Sequence, residues 1–120
     1  MRNPSDTIQR GQIYWLDWNP ARGSEQAGRR PGLIVQNDPF NANPRYPNTI
    51  VLAVTTRGRD VPTHIAIEPT AENGLRERSF VKCEQLITVS KERLDSLIGE
   101  LDAETMAHVD RALKRVLSLI

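Results

Sequence analysis

Arg30 has the setting in this sequence that best suits binding to a phosphate group. It stands directly before Pro31 and the apolar run of residues 32–36, and a following proline biases a residue toward extended backbone. A planar guanidinium in a fixed position donates two parallel hydrogen bonds to phosphate oxygens. The first 60 residues contain eight arginines, no lysine and five acids, so this type of donor is concentrated there. An ordinary solvated surface arginine is the alternative interpretation.

Two further places combine polar side chains with apolar strand patterns. Thr55 follows the apolar residues 50–54, and a hydroxyl at the end of a buried strand is either a satisfied strand-end group or a rigidly held hydrogen-bond donor. Lys82, Glu84 and Gln85 interrupt two apolar runs with a cation, an acid and an amide, although an ordinary turn has the same composition. Cys83 lies among apolar neighbours, and we expect it to be a small packed residue and not a nucleophile.

The sequence offers few ligands for a metal ion and no long apolar segment. It has one cysteine and two histidines, without CxxC or HxxxH spacing, so we expect no disulfide, no metal site and no cofactor. Residues 1–12 are polar, and no apolar run approaches the roughly 18 residues of a membrane span. These features favour a soluble cytoplasmic protein without a membrane partner. The net charge of +1 argues against an extended basic surface for nucleic acid.

The elements that must position these residues are short strands followed by a helix. Residues 12–18 and 49–56 have the composition of strands, and the second is apolar enough to be buried on both faces. Shorter strands are predicted at 32–36, 63–67, 80–83 and 85–89, with long loops at 20–30 and 38–48. Asp102 is predicted to cap a helix over 103–119 with one apolar stripe, and Ser90 to start a shorter helix over 91–98 that Gly99 stops. This pattern predicts a small barrel or a strongly curled sheet with a C-terminal helix.

The order of the motifs along the chain is more informative than any one of them. The series comprises Arg10-Gly11-Gln12-Ile13-Tyr14-Trp15, Gly23-Ser24-Glu25-Gln26, the run from Arg30-Pro31 to Asn37-Asp38, residues 50–55, Pro62-Thr63-His64, Cys83-Glu84-Gln85-Leu86-Ile87-Thr88 and the C-terminal helix. This series resembles the MazF/PemK family of toxins, over about residues 10–120.

The resemblance implies one domain over residues 1–120, with residues 1–9 as a flexible N-terminal extension. The implied fold is mainly β, a small SH3-like barrel (CcdB/Kid-like) of about five to seven strands with a C-terminal α-helix. The implied activity is that of a sequence-specific, metal-independent endoribonuclease toxin, which cleaves single-stranded mRNA by 2′-hydroxyl attack and leaves 2′,3′-cyclic phosphate and 5′-hydroxyl ends. The implied partners are single-stranded RNA, a second copy in a homodimer and a cognate antitoxin. The alternative is a CcdB-like gyrase-binding toxin without nuclease activity, because fold alone does not fix function.

The resemblance also assigns roles to single residues. Arg30 matches the family's main catalytic residue, which would stabilise charge on the phosphorane, and Thr55 matches the second, which would orient the phosphate or the 2′-hydroxyl. Part of the family carries Arg-Cys-Asp-Gln where this chain has Lys82-Cys83-Glu84-Gln85. Lysine lacks the bidentate fork, so Glu84 is the weaker catalytic candidate, as a base. The implied RNA-binding residues are Ser24, Glu25, Gln26, Arg29, Arg57, Lys82 and Gln85.

Overall fold

Six β-strands and two α-helices occur in the residues that the computed structural model describes, which are 7–18 and 28–119. In chain order they are β1 (Gln12–Asp17), β2 (Arg29–Ile34), α1 (Asp38–Ala42), β3 (Asn48–Thr55), β4 (His64–Ile67), β5 (Ser79–Ser90), β6 (Leu94–Glu100) and α2 (Ala103–Leu117).

All six strands belong to one antiparallel sheet, in the order β4-β5-β3-β2-β1-β6. β1 therefore pairs with a strand that follows it directly in the chain and with one that comes near the chain's end. The predicted mainly β fold, with five to seven strands and a C-terminal helix, is confirmed.

β3 lies between β2 and β5 and is buried on both faces, as its composition predicted. Leu52 belongs to an apolar cluster that also contains Val109 of α2, whereas its neighbour Val51 belongs to a second cluster. The second cluster includes Val89 of β5 and Leu94 of β6, although three strands separate β5 from β6 in the sheet. Side chains from these distant strands meet only if the sheet curls, which gives it a barrel-like form.

The second cluster extends to the start of the described chain. Ile8, which the sequence placed in an N-terminal extension, is 2% exposed and packs in this cluster. Arg10 continues the attachment: its backbone N–H donates to Asp38, and its guanidinium donates to the carbonyl of Val35 and pairs with Asp110 of α2. Residues 7–10 are therefore part of the domain.

β5 is one strand of 12 residues where the sequence predicted two short ones. Its pairing with β3 shifts between Lys82, which faces Ala53, and Leu86, which faces Leu52. Residues 83–85 therefore form a bulge in a continuous strand. The polar residues that interrupt the apolar pattern mark this bulge and not a turn, because a bulge bends a strand and re-aims its side chains without ending it.

The predicted helix over residues 91–98 is wrong. Ser90 does act as a cap, since its hydroxyl accepts from the N–H of Glu92, but it starts only a single 3-10 turn, Lys91–Arg93. Leu94 then enters the second core cluster, and β6 supplies the outer partner of β1. Pairing with β1 overrides the local preference of these residues for a helix.

Asp102 caps α2 as predicted, and the helix covers Ala103–Leu117. Val109 and Ala112 are its buried residues, and Met106, Leu113 and Val116 pack around the same cluster. The segment predicted as a loop over 38–48 contains the short helix α1, capped by Asn37. Neither helix of the described part of the chain has the length and apolar character that crossing a membrane requires.

Replacing Asp102 by alanine should lower the stability of the fold, and the loss should depend on pH. The Asp102 carboxylate accepts from the backbone N–H of Thr105, and hydrogen bonds from the side chain and the backbone of Thr105 lower the pKa of Asp102. A pKa that is lower in the folded state stabilises the fold above the unfolded pKa, near about 4, and that stabilisation is lost as pH falls through the folded pKa. Asp102→Ala should therefore melt below wild type at neutral pH, and the gap should narrow in acid.

Thermal melts of both proteins over a pH series measure this gap. Asp102→Asn keeps a capping oxygen and should retain most of the wild-type stability at neutral pH. A gap of equal size at every pH would show that the carboxylate charge contributes nothing to the cap.

Candidate active site

An open cleft of about 680 Å³ lies at the end of the sheet where β2 begins and β3 ends. Five parts of the chain line it. Three are the start of β2, the end of β3, and residues 74–77 with Ser79 at the start of β5; the other two are single residues, Trp15 of β1 and Ile98 of β6. Arg30 and Thr55 both line this cleft, although 24 positions separate them in the chain.

Strand pairing explains why these two residues meet. β2 pairs with β3 so that Gly32 faces Ala53, and this register continued by two residues sets Arg30 opposite Thr55. Directly opposite residues of antiparallel strands have their side chains on the same face of the sheet. The sequence separation is therefore bridged by rigid backbone and not by a flexible loop.

Arg30 is anchored through its backbone. It pairs with Leu16 of β1, and its carbonyl accepts from the indole Nε1 of Trp18 at 3.2 Å. Its exposed guanidinium donates to the carbonyl of Arg29 at 3.0 Å and forms no ion pair with any residue of the described segments. An arginine fork that carries no carboxylate partner suits the binding of an anion from solution.

The Thr55 hydroxyl already has one hydrogen-bond partner. Its oxygen accepts from the backbone N–H of Arg57 at 3.2 Å. A hydroxyl that accepts from an amide keeps its own hydrogen for donation to another group. In this geometry Thr55 is prepared to donate to an oxygen in the cleft.

Arg29 lies in the same cleft but in a different electrostatic setting. Its guanidinium stacks over the ring of Trp15, 4.8 Å from the centroid, and donates to Asp95 at 3.0 Å. The hydrogen bond from Arg29 lowers the pKa of Asp95, so this carboxylate stays charged opposite it. Arg29 is therefore a structured cation whose charge is largely compensated, in contrast to Arg30.

Several lining residues were not singled out from the sequence. Arg76 and Glu77 come from the segment between β4 and β5, and Ser79 begins β5 with its hydroxyl donating to the carbonyl of Glu77 at 2.9 Å. The adjacent Asn73-Gly74 pair is a recognisable turn signal, but nothing in the sequence indicates that this turn packs against β6. With Arg29 and Arg30, the lining of the cleft contains three arginines and one acid.

Lys82, Glu84 and Gln85 do not line this cleft. The Glu84 carboxylate instead lies 2.7 Å from Nε2 of His64. Partial burial alone would raise the pKa of Glu84, but the hydrogen bond from His64, together with a backbone hydrogen bond, lowers it overall. Burial raises the pKa of Cys83 to about 12, so its thiol stays protonated and is a poor nucleophile, as expected from the sequence.

The remaining predicted residues are Arg57, which contributes its backbone N–H to Thr55, and three residues of the β1–β2 connection. These three, Ser24, Glu25 and Gln26, lie outside the described residues. Within the described residues, no group of three or more His, Cys, Asp or Glu side chains is placed to hold a metal ion.

The curled six-stranded sheet with its C-terminal helix is similar to solved structures of endoribonucleases. An endoribonuclease from a mycobacterial species, solved in complex with its cognate antitoxin, matches with a TM-score of 0.78 and 27% identity, over 94% of this chain and 97% of that one. MazF from Deinococcus radiodurans has the same fold, with a TM-score of 0.79 at 23% identity, over 95% and 99% of the two chains.

Sequence comparison gives the family. Residues 9–117 match the family described as PemK-like, MazF-like toxin of type II toxin-antitoxin system. Endoribonuclease EndoA of Bacillus subtilis is 40% identical, over 94% of this chain and 97% of its own length, and endoribonuclease MazF6 of Mycobacterium tuberculosis is 38% identical, over 93% and 98%. The chain belongs to the PemK-like, MazF-like toxin family. The predicted family and its endoribonuclease class are confirmed, and these relatives give no support to the gyrase-binding alternative.

Proposed function

We propose that the protein is a sequence-specific, metal-independent endoribonuclease toxin that cleaves single-stranded mRNA in the cytoplasm and is neutralised by a cognate antitoxin. The observation that carries this proposal is the presence of Arg30 and Thr55, on neighbouring strands, in one cleft. The endoribonuclease names of the curated relatives support the substrate class.

Arg30 is the group that we assign to the reacting phosphate. Attack of the 2′-hydroxyl on phosphorus places negative charge on the equatorial oxygens, and a guanidinium is a permanent cation with paired donors for two of them. One preorganised donor of this kind typically contributes about 10²- to 10³-fold in rate. Arg30 is exposed and has no carboxylate partner among residues 7–18 and 28–119, and both observations support this role.

Thr55 would fix the orientation of the same phosphate. With its oxygen occupied by the Arg57 N–H, its hydrogen is available to a non-bridging oxygen or to the 2′-hydroxyl. In-line attack forms the bond from the 2′-oxygen to phosphorus and breaks the bond from phosphorus to the 5′-oxygen, which leaves the 2′,3′-cyclic phosphate on one fragment. The 2′-hydroxyl gives up its proton in this step and the leaving 5′-oxygen takes one up to become a 5′-hydroxyl, so the overall reaction is proton-neutral. The location of Glu84 outside the cleft makes Arg30 and Thr55 the better supported pair.

The RNA contacts beyond the scissile phosphate fall into two groups. Arg29 and Arg57 lie in or next to the cleft, and we assign to them the adjacent phosphates. Lys82 and Gln85 lie on β5 outside the cleft and would contact RNA that extends beyond it. Ser24, Glu25 and Gln26 precede Arg30 in the chain; we assign Ser24 as a further phosphate donor, and Glu25 and Gln26 to the bases that flank the cut. A net charge of +1 fits recognition of a short segment, for which few phosphates are neutralised.

We further propose a homodimer as the active form. β6 is an edge strand of the described sheet, and its Leu97 is 53% exposed. In the C-terminal segment, Leu117 is 49% exposed and Leu119 is 67% exposed. A strand at the edge of the described sheet and exposed apolar side chains both favour association with a second copy. The mycobacterial endoribonuclease that was solved in complex with its cognate antitoxin supports an antitoxin as a further partner of this chain.

Cleavage of a defined single-stranded RNA by purified protein in excess EDTA tests the activity. We expect discrete fragments whose 5′ ends require phosphorylation before ligation and whose 3′ ends resist ligation until the cyclic phosphate is opened. Intact RNA together with inhibited supercoiling by gyrase would contradict the nuclease proposal, and cleavage that EDTA abolishes would contradict its metal independence. Light scattering of the same preparation should give the mass of a dimer.

A further inference from the structure

The chain that follows Thr55 is held by three successive contacts. The Arg57 N–H binds the Thr55 hydroxyl oxygen at 3.2 Å, and the Arg59 N–H binds Nδ1 of His64 at 3.0 Å. Between them Gly58 packs on the ring of Phe80, so closely that an added Cβ would lie 2.1 Å from the ring carbon Cγ. Phe80 is itself the cross-strand partner of Thr55. This segment, residues 56–63, is therefore a fixed part of the site and not a free loop.

His64 is built into this arrangement at both ring nitrogens. Its side chain is 7% exposed, and Nδ1 accepts from Arg59 while Nε2 lies 2.7 Å from the Glu84 carboxylate. A nitrogen that accepts from an amide cannot carry a proton, so the ring hydrogen is on Nε2 and is donated to Glu84. Glu84 itself lies in the bulge of β5 at residues 83–85, where the regular pairing with β3 is interrupted.

We propose that His64, oriented by Glu84, is a positioning residue for the Thr55 hydroxyl. The ring holds the Arg59 N–H, which fixes segment 56–63 and keeps the Arg57 N–H on the Thr55 oxygen. With that oxygen occupied, Thr55 presents its hydrogen to the cleft. This inference rests on the role assigned to Thr55 in the proposed function.

Two substitutions of His64 test the contributions of its two ring nitrogens one at a time. His64→Asn places an amide oxygen near the position of Nδ1 and keeps an acceptor for Arg59, whereas His64→Gln places an amide nitrogen near Nε2 and keeps only the partner of Glu84. We expect His64→Gln to lower kcat on single-stranded RNA by about tenfold with KM within about twofold of wild type, as for a misplaced catalytic group. His64→Asn should keep kcat within about threefold of wild type.

The second histidine of the chain provides the matched control. His108 is exposed on α2 and hydrogen-bonds with Arg111, and His108→Gln should leave kcat and KM unchanged. Thermal melts of all variants show whether the fold is intact. Equal losses of kcat in His64→Asn and His64→Gln, or wild-type kcat in His64→Gln, would overturn the proposal.

A double substitution distinguishes this inference from the role of Thr55 itself. If His64 acts through the Thr55 hydroxyl, His64→Gln should cost little further activity in a Thr55→Ala protein, since interacting residues are not additive. The same tenfold loss in both backgrounds would overturn the role of His64 alone. Wild-type cleavage by Thr55→Ala would instead overturn the assignment of Thr55 in the proposed function.

Discussion

Arg30→Ala should reduce cleavage of a single-stranded RNA by at least about 10²- to 10³-fold, while the protein stays folded. The substitution removes the exposed guanidinium that we assign to the charge on the phosphorane. It leaves the β1–β2 pairing and the bond from Trp18, because these use the Arg30 backbone. Single-turnover cleavage rates with saturating enzyme measure the effect, and circular dichroism with thermal melts checks the fold.

Two matched variants give this prediction its specificity. Arg30→Lys keeps the charge and loses the paired donors, so its rate should fall between those of wild type and Arg30→Ala. Arg111→Ala removes an exposed arginine of α2 that does not line the cleft, and this variant should cleave at the wild-type rate. An Arg30→Ala protein that cleaves within about threefold of wild type would remove Arg30 from the active site.

Gly74→Ala should lower the free energy of unfolding by about 2 kcal/mol or more. Gly74 has φ +67°, a conformation that is strained for alanine, and a Cβ there would lie 2.1 Å from the backbone oxygen of Ile98. A backbone atom cannot rotate away as a side chain can, so β6 or the turn must shift. Leu75, Arg76 and Glu77 follow directly and line the cleft, so cleavage should fall as well.

Gly11→Ala measures the cost of backbone strain at a positive φ without a steric clash at the new Cβ. Gly11 also has a positive φ, +96°, but its nearest neighbour to a new Cβ is Cγ of Met106 at 3.7 Å, an ordinary contact. Gly11→Ala should therefore lower the free energy of unfolding only by the cost of the positive φ, about 1 kcal/mol. Chemical denaturation of both variants measures the difference. Equal losses at the two positions would contradict the predicted collision between Gly74 and β6.

The parts of the fold that the sequence predicted are those in which local composition and tertiary packing agree. β3 is a nearly continuous apolar run and is buried on both faces, and Asp102 and the stripe through Val109 define α2 as they are observed. Residues 91–98 were misassigned because a helix-like local pattern there is overridden by pairing with β1, a strand about eighty residues earlier. Pairing over that distance leaves no local signal in the sequence.

The site was predictable only in part, for a related reason. Arg30 and Thr55 could be singled out because each adjoins a strand and matches the family pattern, and they line one cleft. Arg76 and Glu77 reach the same cleft through a turn that packs on β6, so their location depends on the strand that was missed. The sequence could not distinguish Glu84 from the other catalytic candidates, Arg30 and Thr55, because its hydrogen-bond partner His64 lies on another strand.

The pairing of β1 with β6 has a consequence for the synthesis of the protein. Gln12 faces Glu100 in this pair, and the Gly11 carbonyl accepts from the N–H of Leu101, so the earliest strand to emerge from the ribosome gains its outer neighbour only when most of the polypeptide has been translated. Until then β1 retains an unpaired edge and the wall of the cleft that β6 supplies is missing. The cleft is therefore expected to be completed only late in translation, after β6 has emerged and paired with β1.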